Sequence, residues 1–350
     1  MIYIPIISAF TIPYNSLGKE MSPDYEERTS VITYRSVSRK IFEVGNFYAL
    51  RFTNLAWFLL PGGEGKNTLL GIRVYTSILG VLMAVFAIII FFRVNERYYD
   101  TVVVRTGKHV SLKESFYETL KCRQFRMIMG MGGVFTLGTS MVGAPGYSAT
   151  VDYVCGGSTI RGDNWNFYRG IAFMIGGLIG APIMGRVAHY IEKRHAVAVA
   201  AVIGIMGYGG SRYLYTPLVP WLQTVASGLM GMAASGLWML HGSIQADVIN
   251  YDEIHTGKRR KGSFTACSSY ILKLGNSGGY FISGLILGWA GFNASLTTQS
   301  PQTIFWIRLM LASIPVLGLL LAVFFVLRLS LTKQKCEEIR VALEKRRGRI

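Results

Sequence analysis

Nine long apolar segments alternate with polar connections along the chain, at residues 1–17, 37–60, 69–92, 125–146, 166–187, 196–215, 218–246, 264–289 and 302–328. A helix needs about 20 residues to cross roughly 30 Å of hydrocarbon, and every segment but the first reaches that length. Segment 1–17 reads as a partial span. Segment 37–60 is unusually polar: Arg39, Glu43, Asn46 and Thr53 recur at helical spacing and form one stripe. Such a stripe on a spanning helix faces a water-filled path or the bundle interior, so it is a candidate cavity wall. The runs 79–92 and 309–327 are too long and too poor in charge for a soluble core, and the amphipathic stripes of a soluble helical protein are missing. The pattern predicts an all-α, polytopic membrane protein.

Charge orients these spans. Bases crowd every second connection: Lys19, Arg28 and Arg35 in 18–35, seven bases in 93–124, then Lys193 and Arg194, then Lys258–Lys261, and finally Arg346, Arg347 and Arg349 in the tail. The intervening connections hold Lys66 alone, Arg161 alone, a short turn at Pro217, and no charge at all over 290–303. Basic connections stay in the cytoplasm, which predicts a multi-pass protein of the plasma (inner) membrane with a cytoplasmic basic tail. Arg51, Arg73, Arg212 and Arg308 lie near the opposite ends and run against the rule.

Composition agrees, with 51% hydrophobic and 16% charged residues, against about 25% charged in soluble domains. The net charge of +17 follows from topology and an anionic inner leaflet. Without a folded basic face, the lipid bilayer is an expected partner and nucleic acid is not. The four cysteines form no disulfide or metal spacing. No nucleophile–base pair is visible, so no enzyme is expected. Met1 opens directly on an apolar run without a basic n-region or cleavage site, which argues against a signal peptide.

Four regions follow: 1–92, about three spans; 93–124, a central cytoplasmic connection; 125–328, six spans; and 329–350, a basic tail. A central connection before a six-span block is the layout of transporters built from two six-helix halves. The connection holds a predicted amphipathic surface helix over 112–121, with Ser111 as cap and Glu114 three residues on. The tail predicts a short solvated helix over 337–347, with Ile339 and Leu343 on one side. Asp247, Asp252 and Glu253 end one helix, and Lys258, Arg259, Arg260 and Lys261 precede the next. Acids do little for orientation, so this pairing suggests a cytoplasmic ionic lock beyond topology-setting charge.

Here the chain resembles the glycoside–pentoside–hexuronide cation symporters of the major facilitator superfamily. The resemblance rests on Ala246–Glu253 with the Gly257–Gly262 basic run, on Ile12–Gly18 followed by Pro23–Thr29 and Tyr34-Arg35, on Ser111–Ser115 leading to Cys122–Arg126, and on Leu272–Gly275. It implies a major-facilitator-type bundle in which this chain begins in the fourth of twelve helices. The missing N-terminal helices would then come from a longer form or an upstream segment. It further implies sugar or glycoside symport by alternating access, with sodium or protons as the coupling cation and no other cofactor.

Two matches touch chemistry. Lys273 lies about mid-span, where a lysine costs about 2.5–3.5 kcal/mol to insert, and the family places a substrate- or cation-site lysine there; a structural ion pair is the plainer reading. Trp238 stands where melibiose-type members carry a sugar-stacking tryptophan, and it reads equally as a packing or interfacial residue. The neighbouring His241 reads as a satisfied histidine more readily than as a proton relay. The melibiose type has an aspartate at Thr11 and a tryptophan at Asn15, and the resemblance implies that its sodium-binding aspartates lie in helices before this chain's first, so the exact sugar and cation are not legible. Candidate substrate residues are therefore Trp238, Lys273, Asn15, Thr11, Glu43 and Asn46. Candidate gate residues are Asp247, Asp252, Glu253, Arg28, Arg39, Arg259 and Arg260. Alternatives are a lysolipid or other organic-solute carrier of the same fold, and a non-transporting remnant or partner subunit.

Overall fold

The computed structural model describes residues 45, 48–49, 51–53, 55, 58, 67–93, 112–257, 261–296 and 298–346. These residues form helices and no strands. The chain divides into two compact units, residues 1–109 and 110–350.

In the first unit, α1 (Thr68–Arg93) fills the predicted third span. Asn67 opens it, its side chain accepting from the Leu70 amide at 3.0 Å. The Phe52 ring packs 5.4 Å from Phe58 and 5.3 Å from Tyr75. Beyond that contact α1 exposes apolar side chains around its circumference, Phe91 at 78% among them, a surface that only a lipid or protein environment accommodates.

The second unit begins with the short helix α2 (Leu112–Lys121), as the sequence predicts. Next come α3 (Arg123–Ser140), α4 (Gly143–Ser148) and a π turn (Ala149–Val154), which together run through one span. Then follow α5 (Thr159–Tyr190), α6 (Lys193–Leu214), α7 (Leu222–Thr256), α8 (Lys261–Trp289), α9 (Pro301–Leu327) and α10 (Lys333–Arg346). Every predicted span from 69–92 onward is helical. Segment 1–17 lies outside the described residues, and 37–60 is described at only a few positions.

Three boundaries differ from expectation. The span predicted to end at 146 continues to Val154, because the π turn carries the helical path past the polar Thr150 and Asp152. Helix α5 starts seven residues before 166, where Ser158 accepts from the Arg161 amide at 3.4 Å. Helix α7 runs past 246 to Thr256 and stops at Gly257, whose φ of +69° suits glycine and whose N–H bonds Glu253 O. At 35 residues it is ~52 Å long, so its acidic last turns clear a ~30 Å hydrocarbon slab.

Glycines set the closest packing. A Cβ on Gly176 would overlap the Gly228 carbonyl, and one on Gly231 would overlap the Phe173 carbonyl, so α5 and α7 meet backbone to backbone. Phe125, Ile128, Met131, Leu237, Leu240, Phe264 and Leu319 fill the core among α3, α7, α8 and α9. Helix α10 is docked rather than solvated on its apolar side: Ile339 and Leu343 are buried, and Lys333 Nζ donates to His189 O at 3.0 Å.

Candidate functional site

Among the long helices of the second unit, α3 through the π turn, α5, α6 and α9 are apolar enough to cross a membrane by composition alone. Helices α7 and α8 are as long but carry glycine, serine and polar residues throughout. These two helices bear Trp238, His241, Lys273 and Asn276.

Contacts with α3 relate three of these residues: His241 to Gly132, Trp238 to Phe135 and Asn276 to Ser140. A Cβ on Gly132 of α3 would lie 2.7 Å from His241 Nε2 and 3.0 Å from Leu272 Cδ2. Trp238 is one turn before His241, and Lys273 is the residue after Leu272. The Trp238 indole is 40% exposed and braced edge-on, its centroid 5.6 Å from Phe135 and 5.6 Å from His241. Lys273 and Asn276 are exposed positions of α8. Ser140 of α3 donates to Asn276 Oδ1. Lys273 is the thirteenth residue of α8, ~18 Å from the helix start. Helix α7 thus carries a half-exposed aromatic face near mid-length and α8 a cation and an amide near mid-length, groups that suit a polyol.

A second cluster lies at the end of the bundle where α5 passes into α6. Lys193 Nζ meets Asp247 Oδ2 at 2.5 Å, both within the second unit. Arg194 is paired with Glu192 beside it. These side chains, with Asn250, Leu331, Lys333, Cys336 and Glu337, line a cavity of about 330 Å³. Burial pushes the Cys336 thiol up to about 11, and the Asp247 carboxylate adds to the shift while Lys193 opposes it. Asp252 is buried and Glu253 half-buried in the next turn of α7. The Lys335 ammonium stands 5.7 Å over the Tyr251 ring. The candidates Thr11, Asn15, Arg28, Arg39, Glu43, Asn46, Arg259 and Arg260 lie outside the described residues.

Sequence reasoning passed over Lys193 as a partner for Asp247, and it missed Arg169 entirely. Arg169 Nη1 donates to Thr150 Oγ1 at 2.6 Å, Asn166 Oδ1 at 2.8 Å and Gly146 O at 3.2 Å, and its Nε donates to Ser227 Oγ at 3.3 Å. A basic residue inside the predicted span 166–187 was the available signal.

The sequence matches the MFS/sugar transport protein family over residues 2–333. It is similar to the glucuronide carrier protein homolog of Escherichia coli (strain K12), at 25% identity over 97% of this chain and 70% of that protein. It is 24% identical to the isoprimeverose transporter of Lactiplantibacillus pentosus, over 89% of this chain and 62% of that protein. An uncharacterized symporter of Synechocystis, sll1374, is 29% identical over 39% of this chain and 27% of that protein. The chain thus spans less than two thirds of the second and third of these relatives. With the match covering nearly all of its length, this multi-pass helical membrane protein belongs to the MFS/sugar transport protein family, a family of transporters rather than enzymes.

Proposed function

We propose that the chain acts in secondary active transport, moving a sugar or glycoside by symport with sodium ions or protons through alternating access. The Trp238 face carries this reading: a half-exposed indole at mid-length of α7, with Lys273 and Asn276 near mid-length of α8. An indole face complements the apolar C–H face of a pyranose, and the ammonium and amide supply donors for its hydroxyls. The names of the glucuronide carrier homolog and the isoprimeverose transporter support a saccharide cargo. Thr11, Asn15, Glu43 and Asn46 are further proposed wall residues. The acids of α7 act with Arg28, Arg39, Arg259 and Arg260 as a gate at the cytoplasmic end. Basic residues at the α5–α6 turn and in the tail support a cytoplasmic position for that end, in keeping with the proposed inner-membrane location. One cation descending 100 mV supplies about 2.3 kcal/mol, enough to concentrate a neutral sugar on the order of fifty-fold.

Counterflow uptake of labelled sugars and glycosides, with and without sodium and across a proton gradient, tests the reading. Uptake of a glycoside that one cation stimulates, and that Lys273→Ala abolishes with normal membrane insertion, is the expected result. Undiminished uptake by Lys273→Ala removes that residue from the site, and failure to move any saccharide sinks the carrier assignment. A lysolipid cargo is the second reading. A shallow apolar groove of about 410 Å³ between α5 and the start of α7, lined by Trp165, Tyr168, Ile175 and Trp221, favours it. Labelled lysolipid belongs in the same panel.

A further inference from the structure

At the end of the second unit opposite the Lys193–Asp247 pair, a closed cluster of side chains offers hydrogen-bond donors that nothing accepts. Asn166 Nδ2, the Tyr215 hydroxyl, Gln223 Nε2 and Arg308 Nε are all buried without a hydrogen-bond partner among the described residues. They come from α5, the end of α6, the start of α7 and the start of α9, and Arg169 links them. Its Nη1 reaches Asn166 Oδ1 and Thr150 Oγ1, its guanidinium carbon is 4.9 Å from the Tyr215 ring centroid, and Thr150 in turn donates to Gln223 Oε1 at 3.1 Å. Arg308 joins from the other side, donating to Tyr215 O at 3.4 Å with its guanidinium 4.0 Å over the Tyr153 ring.

The chemistry of these bonds fixes what is missing. Arginine only donates, so Asn166 turns its oxygen to Arg169 and its amide nitrogen away. Thr150 accepts from Arg169 and shares its own hydrogen between Gly146 O at 3.2 Å and Gln223 Oε1 at 3.1 Å, which leaves Gln223 Nε2 over. The leftover groups are therefore donors, and an unmet buried donor is costly. The charges are unmet too. Every acceptor of Arg169 is neutral, and Arg308 is held by the Arg212 and Tyr215 carbonyls and by Tyr153, with no carboxylate among these partners. Asp163, on the same helix as Arg169, is engaged by the Tyr147 hydroxyl at 2.9 Å.

We propose that this cluster binds one small monovalent inorganic anion, of the chloride class. The anion sits against the Tyr215 hydroxyl and the Asn166 and Gln223 amides beside the Arg169 guanidinium. Water fits less well, since it brings no countercharge to the guanidinium groups. The setting is closed to solvent, with Thr150, Tyr215 and Gln223 fully buried and Ser227 3% exposed, which favours a small anion over a large one. An anion here ties the π turn to α5, α6 and α7.

The test uses the purified full chain, melted in sodium chloride, sodium bromide and sodium gluconate at equal ionic strength. Chloride and bromide are expected to raise the melting temperature saturably by ~3 °C over gluconate. Tyr215→Phe and Gln223→Leu each delete one leftover donor and spare the Arg169 bonds; both should raise the half-saturating chloride concentration about tenfold. Radiochloride binding to the folded protein at ambient temperature gives the same comparison if either variant melts too low. Equal melting in the three salts overturns the proposal in favour of water. Chloride binding unchanged in both variants overturns it in favour of another location.

Discussion

Lys193 Nζ lies 2.5 Å from Asp247 Oδ2, which ties the first residue of α6 to the last turns of α7. The Lys193 side chain is 37% exposed and that of Asp247 19%, so solvent screens the pair in part. Coupling of about 1 kcal/mol is expected, the upper end of the range for exposed pairs. A double-mutant cycle with Lys193→Met and Asp247→Asn, read by thermal unfolding, measures it. Additive single effects would show the contact to be energetically idle.

Cys336 reports on that pair from α10. Its thiol is held up at about 11, above its ordinary value of 9.0, by burial and then by Asp247, to which it donates. Folding therefore favours the protonated thiol. The stability it contributes is present below pH 9 and is lost as pH rises towards 11. In a chain whose only cysteine is Cys336, maleimide labelling should be slow at pH 8 and climb about tenfold per pH unit. Asp247→Asn removes a raising influence and should speed labelling at pH 8. Lys193→Gln removes a lowering one and should slow it. Equal rates in all three proteins would contradict this arrangement.

Hydropathy alone located α1, α6 and α9 to within a few residues, because long aliphatic runs admit no other reading. It failed where polar residues are helical: at Thr150 and Asp152 in the π turn, and at Arg161 to Asn164 in the first turns of α5. A π turn leaves no periodic trace, and buried polar residues look like loop until their partners are known. The same reason hid the Arg169 cluster. Gly146, Thr150, Asn166, Tyr215, Gln223 and Ser227 are each unremarkable at a span end, and only tertiary packing brings them together. Trp238, Lys273 and the acids of α7 were legible because they fall within recognisable motifs. Their neighbours Asn276, His241 and Lys193 became partners only in three dimensions.

The contact between α5 and α7 sets a sharp contrast among glycines. Gly176→Ala and Gly231→Ala would each drive a methyl into a facing backbone carbonyl, which cannot swing aside as a side chain does. A loss of about 3 kcal/mol, with much reduced yield of folded protein, is expected for either. Gly242→Ala and Gly284→Ala meet nothing within 4 Å and should be neutral or gain up to about 1 kcal/mol from helix propensity. Thermal unfolding of the four variants separates a packing requirement from a general preference for flexible helices. Similar behaviour of both pairs would rule the packing argument out.

Trp238 carries the proposed function more directly than any other residue. Its indole is braced by Phe135 and His241, yet 40% of it stays exposed. A residue wanted only for packing would be expected to bury that face. Trp238→Phe keeps an aromatic platform with less area, whereas Trp238→Ala removes it. If the indole stacks on the cargo for about 1 kcal/mol, the alanine variant should need about fivefold more substrate for half-maximal counterflow. The phenylalanine variant should fall between. Membrane insertion and melting temperature must stay close to wild type for the comparison to speak to binding. An alanine variant with unchanged half-saturation would turn Trp238 into a packing residue and leave Lys273 and Asn276 without an aromatic partner for a sugar.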